Sequence, residues 1–484
     1  MNRSAPLFKL SFRFPLILLG IIAIAVLLRI INLGSREFWY DEVLSLLLSS
    51  GQKAAYKTPK DLPVVLAHYT PLLNVPPDKG IAGVVKTVVG LLKALVGVEP
   101  HPPLFYLSQH FWLRLFGNGE AAVRSLGALL SVAAIGSAYG LGRRLLGHQG
   151  GLLFAALLGI NDYYLFHSLN VRMYGPLVLW TILSAWSLLE LIDTNRLELH
   201  RSESSSYKSK VLWTLLLIGS VAAGLMTFYL FVYWLIVLTA VVLVLDRQHW
   251  WHHALRVGAG ILLTMPWALW GTPQQLRNAD LERFATSTGI VDTIVRHVQD
   301  LLQPLGIHLI LGDWVTSLPK SSATIAGGVA IALIVACSIS LWRQNQQQLL
   351  IVVLLLGIFP LLLGFAADVL GGKFTIAFGW GRSMILILPG CLLLLVAWIE
   401  RAAGKWQQPV ALVLLLFYLS LSTADFSTRH RWMFHQIADI IEQDSTKPTL
   451  IAMNSQAWGH VLRLAYYVPP TSSVQLLAQQ PTKL

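Results

Sequence analysis

The sequence predicts an all-α polytopic membrane protein with about eleven transmembrane helices, interfacial helices in a long first external loop and a small extracytoplasmic α/β tail. Of its 484 residues, 55% are hydrophobic and only 12% are charged, and the mean hydropathy is +0.61. In soluble domains about a quarter of the residues are charged. This composition excludes an ordinary soluble protein and predicts a chain that lies largely within a bilayer.

Apolar runs divide the chain into spans and external segments, because a helix needs about 20 apolar residues to cross a bilayer. The runs cover residues 14–33, 124–142, 150–167, 173–192, 211–228, 230–246, 256–271, 321–342, 348–367, 382–400 and 408–423. The first is too long for a signal peptide and has no cleavage site after it, so we expect it to stay uncleaved. We predict a transmembrane domain over 1–423, with large external loops at 34–123 and 272–320, and a small C-terminal segment over 424–484.

The basic residues predict the orientation. With a cytoplasmic N-terminus, the inner pieces hold fourteen Lys and Arg and the short outer loops hold three, which is the asymmetry of membrane proteins. An odd number of spans then places both large loops and the tail outside a bacterial inner (plasma) membrane. The same bias accounts for the net charge of +12 without a nucleic-acid partner, for which no aromatic and basic platform is present.

An acidic pair follows the first span, in Phe38-Trp39-Tyr40-Asp41-Glu42. One interpretation is an aromatic belt at the membrane surface with a solvated acidic pair. The other is a site in which Asp41 takes a proton from an acceptor hydroxyl, with aromatic rings that hold a sugar or an isoprenoid chain.

Three basic residues at predicted span or helix ends are candidate phosphate ligands. His101 precedes the interfacial helix predicted over 104–116, and is either an exposed residue at a helix start or a phosphate ligand. Arg124 opens the second span, where it either snorkels or binds a phosphate with its fork of donors. Arg382 is an interface anchor or a further phosphate contact.

Asp162 and Arg172, ten residues apart, flank the next external connection, with Tyr174 close behind. They either pair with one another or position a donor phosphate and an acceptor. Cys337 and Cys391 both lie in apolar runs, which excludes a disulfide framework and a cysteine zinc site.

The order of these motifs resembles the C-fold membrane glycosyltransferases, and within them the group of protein O-mannosyltransferases (dolichyl-phosphate-mannose-protein mannosyltransferase-like) and aminoarabinose transferases. The motifs are aromatic-Asp-Glu, His-Pro-Pro-Leu, an Arg-headed span that ends in Gly-Arg-Arg-Leu-Leu-Gly, and Arg-Met-Tyr, all within about residues 14–180. A weaker similarity lies at 382–389.

The resemblance implies an inverting transfer from a polyprenyl-phosphate-linked sugar to a hydroxyl of a protein, lipid or glycan at the outer membrane face. It implies catalytic roles for Asp41, Glu42 and Asp162. It implies donor-phosphate or substrate contacts for His101, Arg124, Arg172, Tyr174 and Arg382. Oligosaccharyltransferase relatives hold a metal with two acids one residue apart. Asp162-Tyr163-Tyr164 departs from that pattern, so no metal ligand or other cofactor is assigned, and a divalent metal stays an open alternative.

A transporter, a lipid-linked glycan flippase or a glycan ligase would share many spans and basic loops. Transporters commonly place ionisable groups in mid-span or use broken helices. Here most charges lie at span ends, which favours interfacial chemistry, although Met265-Pro266 and Phe359-Pro360 keep the transporter alternative open. A ligase would differ mainly in its acceptor.

Overall fold

The computed structural model describes residues 14–59, 62–77, 80–197, 203–279, 282–285, 289–428, 432–444, 447–454 and 458–479. Helices dominate this part of the chain, which confirms the all-α fold class. Those of eight or more residues are Phe14–Ile31, Tyr40–Ser49, Gly80–Val98, Leu104–Phe116, Glu120–Ile160, Asp162–Leu169, Tyr174–Leu197, Glu203–Thr227, Phe231–Leu245, Trp250–Asn278, Ile290–Gly306, Lys320–Arg343, Gln347–Gly357, Phe359–Gly371, Leu388–Ala402, Gln407–Thr428, Met433–Gln443 and Trp458–Tyr467. The described residues also form three short strands: β1 (Val64–Val65), β2 (Thr449–Asn454) and β3 (Val474–Gln479).

Eight helices within the described ranges are long and apolar enough to cross a membrane. They are Phe14–Ile31, Gly80–Gly97, Glu120–Ile160, Tyr174–Thr194, Lys208–Thr227, Lys320–Arg343, Phe378–Ala402 and Gly404–Asp425. The pair Gln347–Gly357 and Phe359–Gly371 is bent by 46° and adds a ninth if it forms one span. Two further predicted runs, 230–246 and 256–271, form the helices Phe231–Leu245 and Trp250–Asn278, which lie outside this set.

The range Glu120–Ile160 consists of two helical arms. Gly147 has φ +87°, a backbone conformation that favours glycine. The arms then approach closely, since a Cβ on Gly142 would lie 2.9 Å from the Cα of Gly151. The two spans predicted on either side of Gly147 correspond to these arms.

Arg29 ties the first helix to both arms. Its side chain is buried, its Nε donates to the Ser131 hydroxyl at 2.8 Å, and its Nη1 donates to the Gly159 carbonyl at 2.7 Å. These two hydrogen bonds join the buried guanidinium to one residue of each arm. This contact therefore fixes how the first span packs.

The helix Gly80–Val98 was not predicted. It lies in the segment 34–123, where the sequence indicated interfacial helices near 42–48 and 104–116. Both of those are found, as Tyr40–Ser49 and Leu104–Phe116. Lys86 and Lys93 interrupt the intervening apolar run, and its glycines weaken helix propensity, so the pattern did not stand out.

The three strands join the segment 34–123 to the C-terminal tail. β3 is central, with β1 antiparallel on one side and β2 parallel on the other. The helix and strand expected near 433–441 and 449–453 are present. We call the described residues 432–444, 447–454 and 458–479 the C-terminal cap.

Candidate functional site

Asp41 lies in the first turn of the helix Tyr40–Ser49. The Trp39 amide donates to the Glu42 carboxylate at 2.8 Å and caps the helix, and acidic residues favour the positive end of a helix dipole. The Asp41 side chain is 19% exposed. Its Oδ2 lies 2.8 Å from Nη1 of Arg382 and 4.0 Å from Nε of Arg172. One carboxylate is thus held between two guanidinium groups.

Arg382 follows a turn in left-handed backbone. Gly379, Trp380 and Gly381 have φ values of +58°, +59° and +75°. This conformation costs an L-residue such as Trp380 about 1–2 kcal/mol. A Cβ on Gly379 would overlap the Arg382 side chain, so glycine is required where the guanidinium folds back.

Aromatic rings surround the Arg382 guanidinium. Its carbon lies 5.4 Å from the Phe378 ring centroid, 5.5 Å from Tyr174 and 5.7 Å from Trp39. Cations are attracted to ring faces at such distances. The rings therefore hold the cation beside Asp41.

Arg172 is buried beside the same carboxylate. Its Nη1 lies 3.2 Å from the Tyr106 hydroxyl, 3.3 Å from the Ser45 hydroxyl and 3.7 Å from Oε2 of Glu99. Asp162, the other partner considered from sequence, is not among these contacts. Asp41, Arg172, Tyr174 and Arg382 therefore form one cluster.

Glu99 links His101 to this cluster. The Nδ1 of His101 bonds to the Glu99 carboxylate, and its ring stacks on Phe228 with centroids 5.5 Å apart. Burial raises the pKa of Glu99, but His101 and Arg172 outweigh it and lower that pKa to about 2. Burial lowers the pKa of His101, although Glu99 opposes this. The His101 side chain is 14% exposed, so it is a half-buried group rather than an exposed residue at a helix start.

Two cavities meet at the cluster. The apolar cavity, about 340 Å³, is lined by Glu99, His101, Tyr174, Phe228, Phe284 and Phe378, among others. The aromatic cavity, about 360 Å³, is lined by Trp39, Tyr40, Asp41, Tyr163, Phe166, His167, Asp313, Thr316, Gly379, Trp380 and Arg382. Arg382 faces the second and packs on Tyr174, which faces the first. These two side chains form the boundary between the cavities.

Glu42 and Arg124, predicted as catalytic and phosphate-binding residues, bind each other. Both arms of a buried bidentate ion pair measure 2.9 Å. Arg124 also donates to the carbonyls of Leu33 and Arg36, at 3.0 and 2.7 Å. Neither Glu42 nor Arg124 lines the apolar or the aromatic cavity. The pair fixes the connection between the first span and the Asp41 helix.

Asp162 holds the turn at Gly312 and Asp313, in the segment 272–320. Its carboxylate accepts the backbone N–H of Asp313 at 2.9 Å. Gly312 has φ +60°, and a Cβ there would overlap the Asp162 carboxylate. Asp162 thereby places Asp313 at the aromatic cavity.

Three acidic or histidine side chains at the cavities were not predicted: Glu99, His167 and Asp313. Glu99 could have been found, because a carboxylate two residues before a candidate histidine is a usable signal. The His167 ring meets the rings of Tyr163 and Tyr174 edge-on. Burial lowers the pKa of His167, and the nearby Arg382 lowers it further. Nothing local distinguishes Asp313, which is brought to the site by contacts distant in sequence.

Among the described residues, no group of three or more His, Cys, Asp and Glu side chains could hold a metal ion.

Residues 100–270 match the family model for dolichyl-phosphate-mannose-protein mannosyltransferases. The resemblance to this family is confirmed. The matched segment includes His101, Arg124, Asp162, Arg172 and Tyr174, whereas Asp41 and Arg382 lie outside it. A search of curated proteins finds no match to the chain.

The fold is similar to that of a solved oligosaccharyltransferase. The crystal structure of the Archaeoglobus fulgidus oligosaccharyltransferase, in complex with zinc and sulfate, aligns with a TM-score of 0.53 and 10% identity. The alignment covers 96% of this chain and 62% of that one. Structures of ArnT from Cupriavidus metallidurans, one bound to undecaprenyl phosphate and one in the apo state, align at 14% identity with TM-scores of 0.40 and 0.41. Each covers 93% of this chain and 84% of that one.

Proposed function

We propose that the protein is an inverting glycosyltransferase that moves a sugar from a polyprenyl-phosphate-linked donor to a hydroxyl acceptor. The observation that carries this proposal is the Asp41 carboxylate between Arg382 and Arg172, where the two cavities meet. A leaving phosphate needs cations and an attacking hydroxyl needs a base, and both lie in this cluster. The match to dolichyl-phosphate-mannose-dependent transferases supports a lipid phosphate as the sugar carrier.

The apolar cavity suits the donor. Its apolar walls favour the start of an isoprenoid chain, and His101, Arg172 and Arg382 lie at or beside its inner end. The buried Nε atoms of Arg172 and Arg382 have no hydrogen-bond partner among the described residues. Each can therefore donate to phosphate oxygens as charge develops on the leaving group, a stabilisation typically worth several kcal/mol.

The aromatic cavity suits the acceptor. The acceptor's hydroxyl attacks the anomeric carbon of the donor sugar while Asp41 takes the hydroxyl proton. The new bond joins the acceptor oxygen to that carbon, and the bond from the carbon to the phosphate oxygen breaks on the opposite side. A single in-line displacement inverts the configuration. Protein, lipid and glycan hydroxyls all fit this chemistry.

We further propose that the site faces the extracytoplasmic side of a bacterial inner membrane, with the N-terminus in the cytoplasm and the C-terminal cap outside. The excess of Lys and Arg in the predicted cytoplasmic loops supports this orientation. The donor's phosphate ester then supplies the energy of transfer without a nucleotide.

The test is a deletion strain complemented by wild type, by Asp41→Asn or by Asp439→Asn at equal abundance. Asp439 is an exposed carboxylate of the cap and serves as the matched control. Mass spectrometry of glycolipids and glycoproteins should show that wild type and Asp439→Asn restore a missing glycan. Asp41→Asn should not, and polyprenyl-phosphate sugar should accumulate. Full restoration by Asp41→Asn would refute the catalytic assignment and favour transport.

A further inference from the structure

The residues that precede Asp41 are gripped by the C-terminal cap, beginning with Glu37. The Glu37 side chain is 0% exposed. It accepts the backbone N–H of His435 at 2.7 Å, lies 3.0 Å from His435 Nδ1, and lies 3.5 Å from Nη2 of Arg463. A buried carboxylate is costly unless it is paired. These contacts therefore attach the segment before Asp41 firmly to the cap.

The next residue continues the contact. The Phe38 amide donates to the Tyr467 hydroxyl at 2.6 Å, and the Phe38 ring meets the Tyr466 ring edge-on at 4.8 Å. Tyr467 also bonds to the Glu120 carboxylate, at the start of the second predicted span. The cap thus joins Phe38 to the transmembrane part of the protein.

Tyr40, directly before Asp41, closes the series. Its ring lies edge-on to His460 with centroids 5.3 Å apart. Gly459 packs on it so closely that a Cβ there would lie 2.6 Å from a ring carbon. Two cap helices, Met433–Gln443 and Trp458–Tyr467, therefore bracket the start of the Asp41 helix.

We propose that Glu37, held by His435 and Arg463, is a positioning residue that lets the C-terminal cap set the place of the Asp41 carboxylate. This inference rests on the proposed transfer reaction. Asp41 meets Arg382 only when the start of its helix is fixed. A misplacement of about 1 Å can cost about 100-fold in rate.

The first test compares Glu37→Gln with Asp444→Asn, which removes the carboxylate of the exposed Asp444–Lys447 pair in the same cap. We expect Glu37→Gln to lower kcat about tenfold or more, with the donor KM within about twofold of wild type. The donor KM is spared because Arg172, Glu99 and His101 are not touched. Asp444→Asn should match wild type. An unchanged kcat in folded Glu37→Gln, or an equal loss in the control, would overturn the proposal.

Tyr467→Phe is a milder variant if Glu37→Gln does not fold. It removes the acceptor of the Phe38 amide and leaves the ring in place. We expect kcat to fall by about threefold or more, with donor KM unchanged. A folded Tyr467→Phe enzyme with wild-type kcat would count against positioning by the cap.

Hydrogen exchange separates this proposal from the transfer reaction itself. In Glu37→Gln, amides of residues 38–43 should exchange faster, whereas those of 104–116 should keep the wild-type rate. Unchanged exchange at 38–43 would show that the cap does not hold Asp41. If the wild-type protein transfers no sugar, the transferase function is refuted. If residues 38–43 still exchange faster in Glu37→Gln, the attachment of these residues to the cap stands independently of that function.

Discussion

Asp41 and Arg382 form a 2.8 Å ion pair at the boundary of two cavities. While the pair is closed, Oδ2 of Asp41 is occupied by the guanidinium. A donor phosphate that enters the apolar cavity would compete for the same guanidinium. Donor binding would then free Asp41 to accept the acceptor proton. The site thus contains a physical reason for an ordered reaction.

Arg382→Lys should weaken that coupling. Lysine keeps the charge but lacks the planar fork of donors that can bind a phosphate bidentately. We expect the donor KM to rise about tenfold and kcat to fall. Initial rates measured while both substrate concentrations are varied should show that the donor binds first in wild type. Polyprenyl phosphate should inhibit competitively with respect to the donor. Random binding in wild type would contradict this mechanism.

Breaking the Glu42–Arg124 ion pair should lower the free energy of unfolding, while the substrate-binding residues of the cluster stay in place. Glu42→Gln or Arg124→Met alone leaves one buried charge unpaired, which costs about 3–5 kcal/mol. The double variant removes both charges and should lose less than the sum of the singles. Unfolding in detergent measures all three. Additive losses would argue against a direct pair.

How far the sequence alone predicts this site depends on whether a contact is local. Local sequence patterns predict the helices Tyr40–Ser49 and Leu104–Phe116. They also single out Asp41 as a candidate acid and Arg172 and Arg382 as candidate cations. They do not predict the partners, since nothing near Glu42 indicates that Arg124 will neutralise it. The resemblance implies a catalytic role for Asp162, and nothing in its local sequence indicates that its carboxylate accepts the Asp313 amide. Long-range pairing decides between such roles, and periodicity does not report it.

Substitutions of Trp380 should separate the effect of its strained backbone on stability from the effect of its ring on acceptor binding. Glycine at this position relieves the left-handed backbone, worth about 1–2 kcal/mol, but loses packing and makes the unfolded chain more flexible. We expect Trp380→Gly to change the free energy of unfolding by less than about 1 kcal/mol. The acceptor KM should rise about tenfold, since an aromatic wall worth about 0.5–1.5 kcal/mol or more is lost. Trp380→Phe, which keeps a ring, should stay near wild type, and a similar loss in both variants would exclude a role for the ring.

Asp300 should make stability depend on pH. Burial raises its pKa to about 6 from 3.8, with Arg296 only partly offsetting this. An acid with a raised pKa stabilises the folded state fully below its ordinary pKa, and that benefit is lost as pH rises through about 6. Asp300→Asn stays neutral, so its melting temperature should exceed that of wild type increasingly between pH 4 and pH 7. The gain at pH 7 should be on the order of 1 kcal/mol, after discounting for solvent contact. A constant difference across this range would contradict the shift.

The central place of β3 has a consequence for biosynthesis. β1 emerges from the ribosome early, yet its sheet neighbour β3 lies at Val474–Gln479. Until that segment has been made, β1 lacks its neighbour in the sheet and β2 has no strand to join. The partners of Glu37 also belong to this late part of the chain. A nascent or prematurely stopped protein that lacks the cap would therefore carry the Asp41 helix without the contacts that hold it, and catalytic competence would arrive only after the cap has been synthesised.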